Sequence, residues 1–314
     1  MPYNNLINRA GAQSLIPEAV SREIIQAAMT ESAVLRRARR LRDMTTSEEK
    51  LRVLSAMPEA YFVNGDTGLK QTSDVSWDEV FIYAEEIAVI VPIPENVLAD
   101  TEYDIWGEVQ PRINEAVGKV IDKAVLFDVN APTAWPDAIV TGAVAAGNAV
   151  TIGTNADLYD DIMSENGVIT KVEEDGFMVD GHIAAVTMRG RLRGLRDANG
   201  QPIFVNAMQA NTSYLLDGSP IEFPRNGIFN GQNTAMISGD WSQLVYSVRQ
   251  DMTWKLLSEA VLQDASGNII YNLAQQDMVA LRAVMRMGWA LPNPVNLQNS
   301  NPSTRYPFSV LRSA

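Results

Sequence analysis

The chain contains no cysteine and a single histidine, His182, in 314 residues. The first absence removes disulfides, thiol nucleophiles and cysteine-ligated zinc. The second leaves no histidine pair for a metal site, and any histidine-based triad would have to be built on His182. That residue follows Asp180-Gly181 at the start of a short strand pattern, Ile183–Thr187, where a surface or structural role is expected. No run of eighteen apolar residues occurs, so no membrane-spanning segment is expected. The start, Met1-Pro-Tyr-Asn-Asn, lacks the basic and apolar regions of a signal peptide. Nucleophile-elbow, dinucleotide and calcium-loop patterns are missing, and Gly142–Asn148 has P-loop spacing but Asn where Lys is required. The acidic pairs Glu85/Glu86, Asp160/Asp161 and Glu173/Glu174 are adjacent in sequence, so their side chains diverge and make poor catalytic dyads. Neither a cofactor nor a metal is expected. Positive charge is also in deficit: 25 basic against 38 acidic residues leave a net charge of −13. A protein whose task is to grip nucleic acid needs a basic surface. A container wall that must not trap its contents does not, and neither does an ordinary protein kept soluble by acidity.

What is present is ordinary in amount, 46% hydrophobic and 20% charged, but unusual in arrangement. Residues Val75 to Phe127 form one unbroken structured stretch. Val75, Trp77, Phe81 and Tyr83 alternate with Ser76 and Asp78, which predicts a strand with one apolar face. From Ile87 to Ile93 both faces are apolar, so burial on both sides is expected there. A strand from Ser76 to Pro92 would span ~55 Å, about three times the usual length. Lys50–Val63 supplies a partner strand, and the polar, glycine-containing residues 64–74 supply the connection. A projecting hairpin of this kind is marginal alone, so its apolar face points to a neighbouring subunit.

Beyond Pro92-Ile93-Pro94, Ile105, Val109, Ile113, Val117 and Ile121 recur at steps of four, the stripe of a helix over Asp104–Phe127, ~36 Å long. Pro111 either kinks this helix or starts a second one. Upstream, Ser14–Arg40 reads as a helix ending in a basic cluster of Arg36, Arg37, Arg39, Arg40 and Arg42. This is a solvated basic face, or a contact for nucleic acid or for an acidic neighbouring copy. Downstream, Asp157–Glu174 reads as one helix and Met188–Asp197 as a basic helix. Leu244–Val248 and Met252–Leu257 read as two strands that pair with each other. Val279–Trp289 alternates with period two and reads as a strand, and the proline-containing tail as extended or irregular.

Four segments in order resemble the tailed-bacteriophage major capsid proteins of the Hong Kong 97-like fold. Trp77–Asp100 resembles the return strand of that family's extended loop and the entry to its spine helix. Ile113–Phe127 is similar to the end of the spine helix, Gly239–Tyr246 to a Gly-Asp turn before a strand, and Asp277–Ala290 to a strand returning to the peripheral domain. No single motif is specific; their order over nearly the whole chain is. The resemblance implies an α+β fold with an N-terminal arm (1–46) and an extended β-hairpin loop (47–92). It implies a peripheral domain carrying the spine helix (93–140 and 278–314) and an axial domain (141–277). It implies pentamers and hexamers closing an icosahedral shell around double-stranded DNA, in a virion assembled in the host cytoplasm, with scaffolding, portal and decoration proteins as further partners. Lys70, Trp77, Phe81 and Tyr83 become intersubunit contacts of the loop. The nearness of Met1 to the arm implies a separate scaffolding protein or none. One family member crosslinks its subunits through a loop lysine, and Lys70 lies in the corresponding loop, but no asparagine or glutamate partner matches by motif. Asp128-Val129-Asn130 stands where the family often has glycine after the spine. Two other functions remain open on sequence: a bacterial nanocompartment shell of the encapsulin type, and an unrelated cytosolic α/β enzyme.

Overall fold

In the computed structural model, residues 32–313 are described apart from 59, 61, 64–69, 71, 97–104, 197–198, 202–203, 205–213 and 265, with 105–108 and 110 as backbone only. The described elements are, in chain order, α1 (Ala33–Arg37), β1 (Arg39–Arg40), β2 (Glu48–Ala56), β3 (Ser76–Tyr83), β4 (Glu85–Pro94), α2 (Ile105–Phe127), α3 (Ile139–Ala146), β5 (Ala149–Thr151), α4 (Leu158–Met163), α5 (Val168–Glu174), β6 (Gly181–Ala184), α6 (Val186–Gly194), β7 (Leu215–Leu216), β8 (Ser219–Glu222), β9 (Thr234–Gly239), β10 (Val245–Leu257), β11 (Val261–Gln263), β12 (Ile269–Asn272), β13 (Met278–Ala290) and β14 (Phe308–Arg312).

The alternation read in Val279–Trp289 becomes β13, an inner strand of a four-stranded sheet ordered β1-β10-β13-β4. Only Arg282 and Arg286 on it are less than buried. β4 pairs with it antiparallel from Met278↔Pro94 to Met287↔Glu85. β4 is the edge strand, which is why Pro92 and Pro94 are tolerated: their missing N–H groups face no further ladder. The same edge position overturns the expected double-sided burial of Ile87–Ile93. Ile87, Val89 and Val91 pack on the core, while Ala88 and Ile90 are exposed. Leu244–Val248 and Met252–Leu257 do not pair with each other. They are one strand, β10, running antiparallel to β13 with register shifts between Val248 and Thr253. A local bulge, not a hairpin turn, absorbs the polar residues between them.

Helix α2 runs unbroken through Pro111, so the two-helix alternative is set aside. Ile113, Val117 and Ile121 are buried and Val109 partly so; the side chain of Ile105 lies outside the described residues. With Ala124, Val125 and Leu126 they share one core with Leu281, Ala283, Met285 and Met287 of β13. After Phe127 the chain turns at Asp128, φ +59°, and Asn130, φ +57°. Asp and Asn are the side chains that best tolerate this left-handed region, so they replace the glycine that commonly ends a helix.

The remaining large sheet is six-stranded, ordered β5-β14-β9-β6-β8-β7. Its strand β14 comes from the tail, between β5 and β9. Residues 278–314 thus contribute to both sheets, β13 to the four-stranded and β14 to the six-stranded one. Likewise β10, from the stretch 141–277, belongs with β4 and β13. The helix expected over Asp157–Glu174 is two helices, α4 and α5. Ser164–Gly167 separates them, and a Cβ on Gly167 would lie 2.7 Å from the Ile162 carbonyl, so only glycine fits the close turn. Of the expected helix Ser14–Arg40, residues 14–31 lie outside the described residues. The rest is the short α1, followed by β1, in which Arg39 and Arg40 pair parallel with Val245 and Tyr246.

His182 is fully buried in the six-stranded sheet, a structural position. Its Nδ1 lies 2.8 Å from Ser238 Oγ and its Nε2 is 3.1 Å from the Leu216 carbonyl. A carbonyl only accepts, so Nε2 carries the proton and Nδ1 accepts from the serine. Burial pushes the imidazole down to about 4; the bond to Leu216 opposes this and the charge of Arg37 adds to it. The neutral form is thus favoured by folding. Its contribution is fully present above the unfolded value near pH 6.5 and is lost as pH falls toward 4. The expected loss across that window is about 3 kcal/mol. Urea unfolding of the subunit at stepped pH measures it, and His182→Gln should flatten the slope between pH 6.5 and 4.

Candidate functional site

Strands β2 and β3 form a separate two-stranded ribbon, with Glu48 opposite Tyr83, Lys50 opposite Phe81 and Leu54 opposite Trp77. Because neighbours alternate in direction, one face carries Trp77, Glu79, Phe81 and Tyr83 and the other Val80 and Ile82. Ile82 is fully buried and joins Met44, Ala84, Val245 and Ala290, with Leu51, Val80 and Leu41 packed around them. The aromatic face is open: Trp77 is 63% exposed, Phe81 39% and Tyr83 36%. Phe81 and Tyr83 stack at 6.2 Å, Lys50 Nζ sits 5.8 Å above the Phe81 ring, and Lys50 pairs with Glu79. This is an ordered apolar strip framed by charge, and nothing in the described chain covers it.

The root of the ribbon is held firmly. Trp135 Nε1 donates to the Tyr83 carbonyl at 3.1 Å, and Ala84 N to the Ser47 carbonyl at 2.8 Å. At the far end of the paired strands, beside Trp77, Val295 N donates to the Leu54 carbonyl at 3.0 Å, so the ribbon is tied to the body of its own subunit there as well. Gly288 of β13 lies so close that a Cβ there would be 2.3 Å from the Tyr83 carbonyl oxygen. The single break at Ala84 therefore lets one extended run serve two sheets, β3 in the ribbon and β4 in the core. Sequence alternation located Trp77, Phe81 and Tyr83 on one face, but it did not show that Ile82, on the opposite face, is the residue that enters the core. Lys70 is exposed in the connection, whose other residues from 64 to 69 are not described.

The five arginines do not converge on one partner within the subunit. Arg36 Nη2 is 2.6 Å from Glu222 Oε1, and Arg37 Nε is 3.6 Å from the other oxygen. Arg37 Nη2 also donates to the Pro220 carbonyl. Burial lowers the Arg37 guanidinium from its ordinary value, opposed by Glu222 and Asp180. Arg40 pairs with Asp43 at 2.7 Å and Arg42 with Glu49 at 3.0 Å, while Arg39 is exposed on β1. The change from helix to strand after Arg37 splits the cluster over two directions, which sequence spacing alone did not reveal.

One residue escaped sequence reasoning. Asp122, on the buried side of α2, accepts from Ser32 Oγ at 2.5 Å, Ala33 N at 3.0 Å, Val34 N at 3.1 Å and Asn226 Nδ2 at 3.3 Å. It holds the first turn of α1 against the spine, together with Ser32, which accepts from Leu35 N. Burial raises the Asp122 carboxyl from its ordinary value, and these bonds oppose the rise. The polar residue inside an apolar stripe was the signal available.

Among the described residues, no group of three His, Asp or Glu side chains could hold a metal ion, and no helix is long and apolar enough to cross a membrane. Residues 12–297 match the phage capsid family. The chain is similar to the major capsid protein of Staphylococcus phage 80alpha, 27% identical over 268 residues that make up 84% of this chain and 78% of that one. It is similar to a solved structure from Microbacterium phage Oxtober96 at 38% identity and a TM-score of 0.79, covering 90% of this chain and 91% of the other. A structure from Mycobacterium phage Adephagia is similar at 32% identity and a TM-score of 0.76, over 98% of each chain.

Proposed function

This chain belongs to the phage capsid family and is a shell-forming major capsid protein, not an enzyme, and from that premise we propose how its parts build the shell. The compartment-shell and cytosolic-enzyme alternatives lose their support with that membership. Subunits join as pentamers and hexamers of an icosahedral shell that encloses double-stranded DNA. The ribbon β2–β3 is the extended loop, and it lies across a neighbouring subunit through Trp77, Phe81 and Tyr83. Residues 1–46 act as the arm; the spine helix with the four-stranded sheet forms the peripheral part, and the six-stranded sheet the axial part. Scaffolding, portal and decoration proteins are the further partners, and assembly takes place in the host cytoplasm.

The observation that carries this reading is the aromatic face of the ribbon: ordered, held at its root by Trp135 and Gly288, and uncovered in the single subunit. Exposed apolar strips of this kind mark association surfaces. Obligate contacts between such subunits commonly bury roughly 2,000–5,000 Å². Expression of the chain alone or with a scaffolding protein, followed by electron microscopy, tests the proposal. Closed shells are expected; a soluble monomer under both conditions contradicts it.

The shell is held without covalent links. The family's crosslink needs an asparagine and a glutamate beside the loop lysine, and neither partner matches by motif for Lys70. Particles boiled in denaturant should run as one monomer band; a ladder of higher species would contradict this.

A further inference from the structure

A second surface is incomplete in the single chain. Arg36, Arg37, Arg189 and Arg225 line one cleft of 570 Å³, against a single carboxylate, Glu222. Its apolar walls are Val186, Ile221 and Phe223, with Tyr214, over whose ring Arg189 lies at 4.8 Å and to whose hydroxyl it donates. Glu222 is engaged by Arg36 and Arg37. Among the described residues, no carboxylate pairs with Arg189 or Arg225. Arg189 Nε is buried without a hydrogen-bond partner, and Arg37 Nε has only its long 3.6 Å ion pair with Glu222. Leaving a buried donor unpaired is costly, more so in a charged group, so such donors normally have an acceptor. The nine-residue helix α6 also starts at this cleft with Val186, and its cap residue Ala185 offers no side-chain acceptor to the first amides. Helix dipole, the unpaired guanidinium donor of Arg189 and excess positive charge all call for an anion.

The shape and the charge of the whole chain identify which anion. The volume suits roughly a drug-sized group, hence a few side chains of a peptide. The mixed apolar and basic lining suits a carboxylate borne on a peptide better than bare phosphates on a duplex. A chain of net charge −13 offers acidic surface to every neighbour it meets. We propose that this cleft docks an acidic segment of a neighbouring copy of the same chain, a reading that rests on the shell assignment above.

Two variants at Arg225, which is exposed, test it without disturbing the core. Arg225→Glu should raise the protein concentration needed for assembly by about tenfold or more, with the subunit's melting unchanged. Arg225→Lys keeps the charge and supplies an amine that carbodiimide couples to any carboxylate in contact. Shells assembled from a mixture of ¹⁵N-labelled and unlabelled Arg225→Lys chains should yield, on mass spectrometry, a crosslinked peptide pair of mixed isotope, joining position 225 to an acidic segment of another copy. Crosslinks only within one copy, to Glu222 or to the N-terminal residues, would overturn the proposal. So would shells whose assembly ignores Arg225→Glu, or a variant that loses encapsidated DNA and nothing else. In each of these cases shells still form and the shell reading stands. Failure of the unsubstituted chain to form shells would contradict that reading, and this inference with it.

Discussion

Replacing Trp77, Phe81 and Tyr83 together by alanine should abolish shell formation while leaving the subunit folded. All three are exposed or nearly so in the single chain, at 63, 39 and 36%. Substitutions at such positions usually change subunit stability by no more than about 0.5 kcal/mol each. At an interface, truncating a buried aromatic anchor costs about 2 kcal/mol or more. The loss recurs at every copy of the contact, so a closed shell multiplies it. Light scattering and electron microscopy of the triple variant read the assembly, and circular dichroism reads the fold. If shells form at ordinary concentration, the aromatic strip is not the contact. If the subunit itself unfolds, the strip belongs to the core and the ribbon has been misread. Ile82→Ala is the natural contrast. It empties a fully buried site between the ribbon and the four-stranded sheet, so it should lower subunit melting first.

The second large effect is expected at Asp122. Removing its carboxyl in Asp122→Ala leaves the donors of Ser32, Ala33, Val34 and Asn226 facing a cavity in a fully buried place. Each unmade bond of this kind costs about 1–3 kcal/mol, so a total loss of about 3 kcal/mol or more is expected. Asp122→Asn keeps one oxygen but turns an amide toward donors, so it should recover only part of the loss. Chemical unfolding of the subunit reads the stability. Hydrogen exchange at Ala33 and Val34 reads the local effect, since α1 is joined to α2 through this carboxylate. Unchanged protection at these amides in Asp122→Ala would show that the short helix is held by packing of Ala33, Val34 and Leu35 alone.

Much of this architecture was legible in the order of residues because the long elements carry strong periodicity. Thirteen residues of β13 with period two, and the step-of-four stripe in α2, specify their own partners by burying one face or both. The aromatic face of the ribbon was legible for the same reason. The breaks were not. Whether Leu244–Val248 and Met252–Leu257 are one strand or two depends on β13, more than thirty residues away. The split at Ser164–Gly167 depends on the approach of the Ile162 carbonyl, a contact that only the folded chain creates. The tail strand β14 was hidden because five residues between prolines and the terminus gain their ladder only from β5 and β9. The division of the arginine cluster was hidden because proximity in sequence does not survive a change from helix to strand. Asp122 illustrates the converse, since its partners lie about ninety residues upstream.

The central claim is that the ribbon β2–β3 is completed by another copy of the chain. An icosahedral reconstruction of assembled particles at side-chain resolution tests it most directly. The predicted result is a neighbouring subunit packed against Trp77, Phe81 and Tyr83, with all three rings removed from solvent. A shell in which those rings face open solvent, while the subunits meet elsewhere, would contradict it.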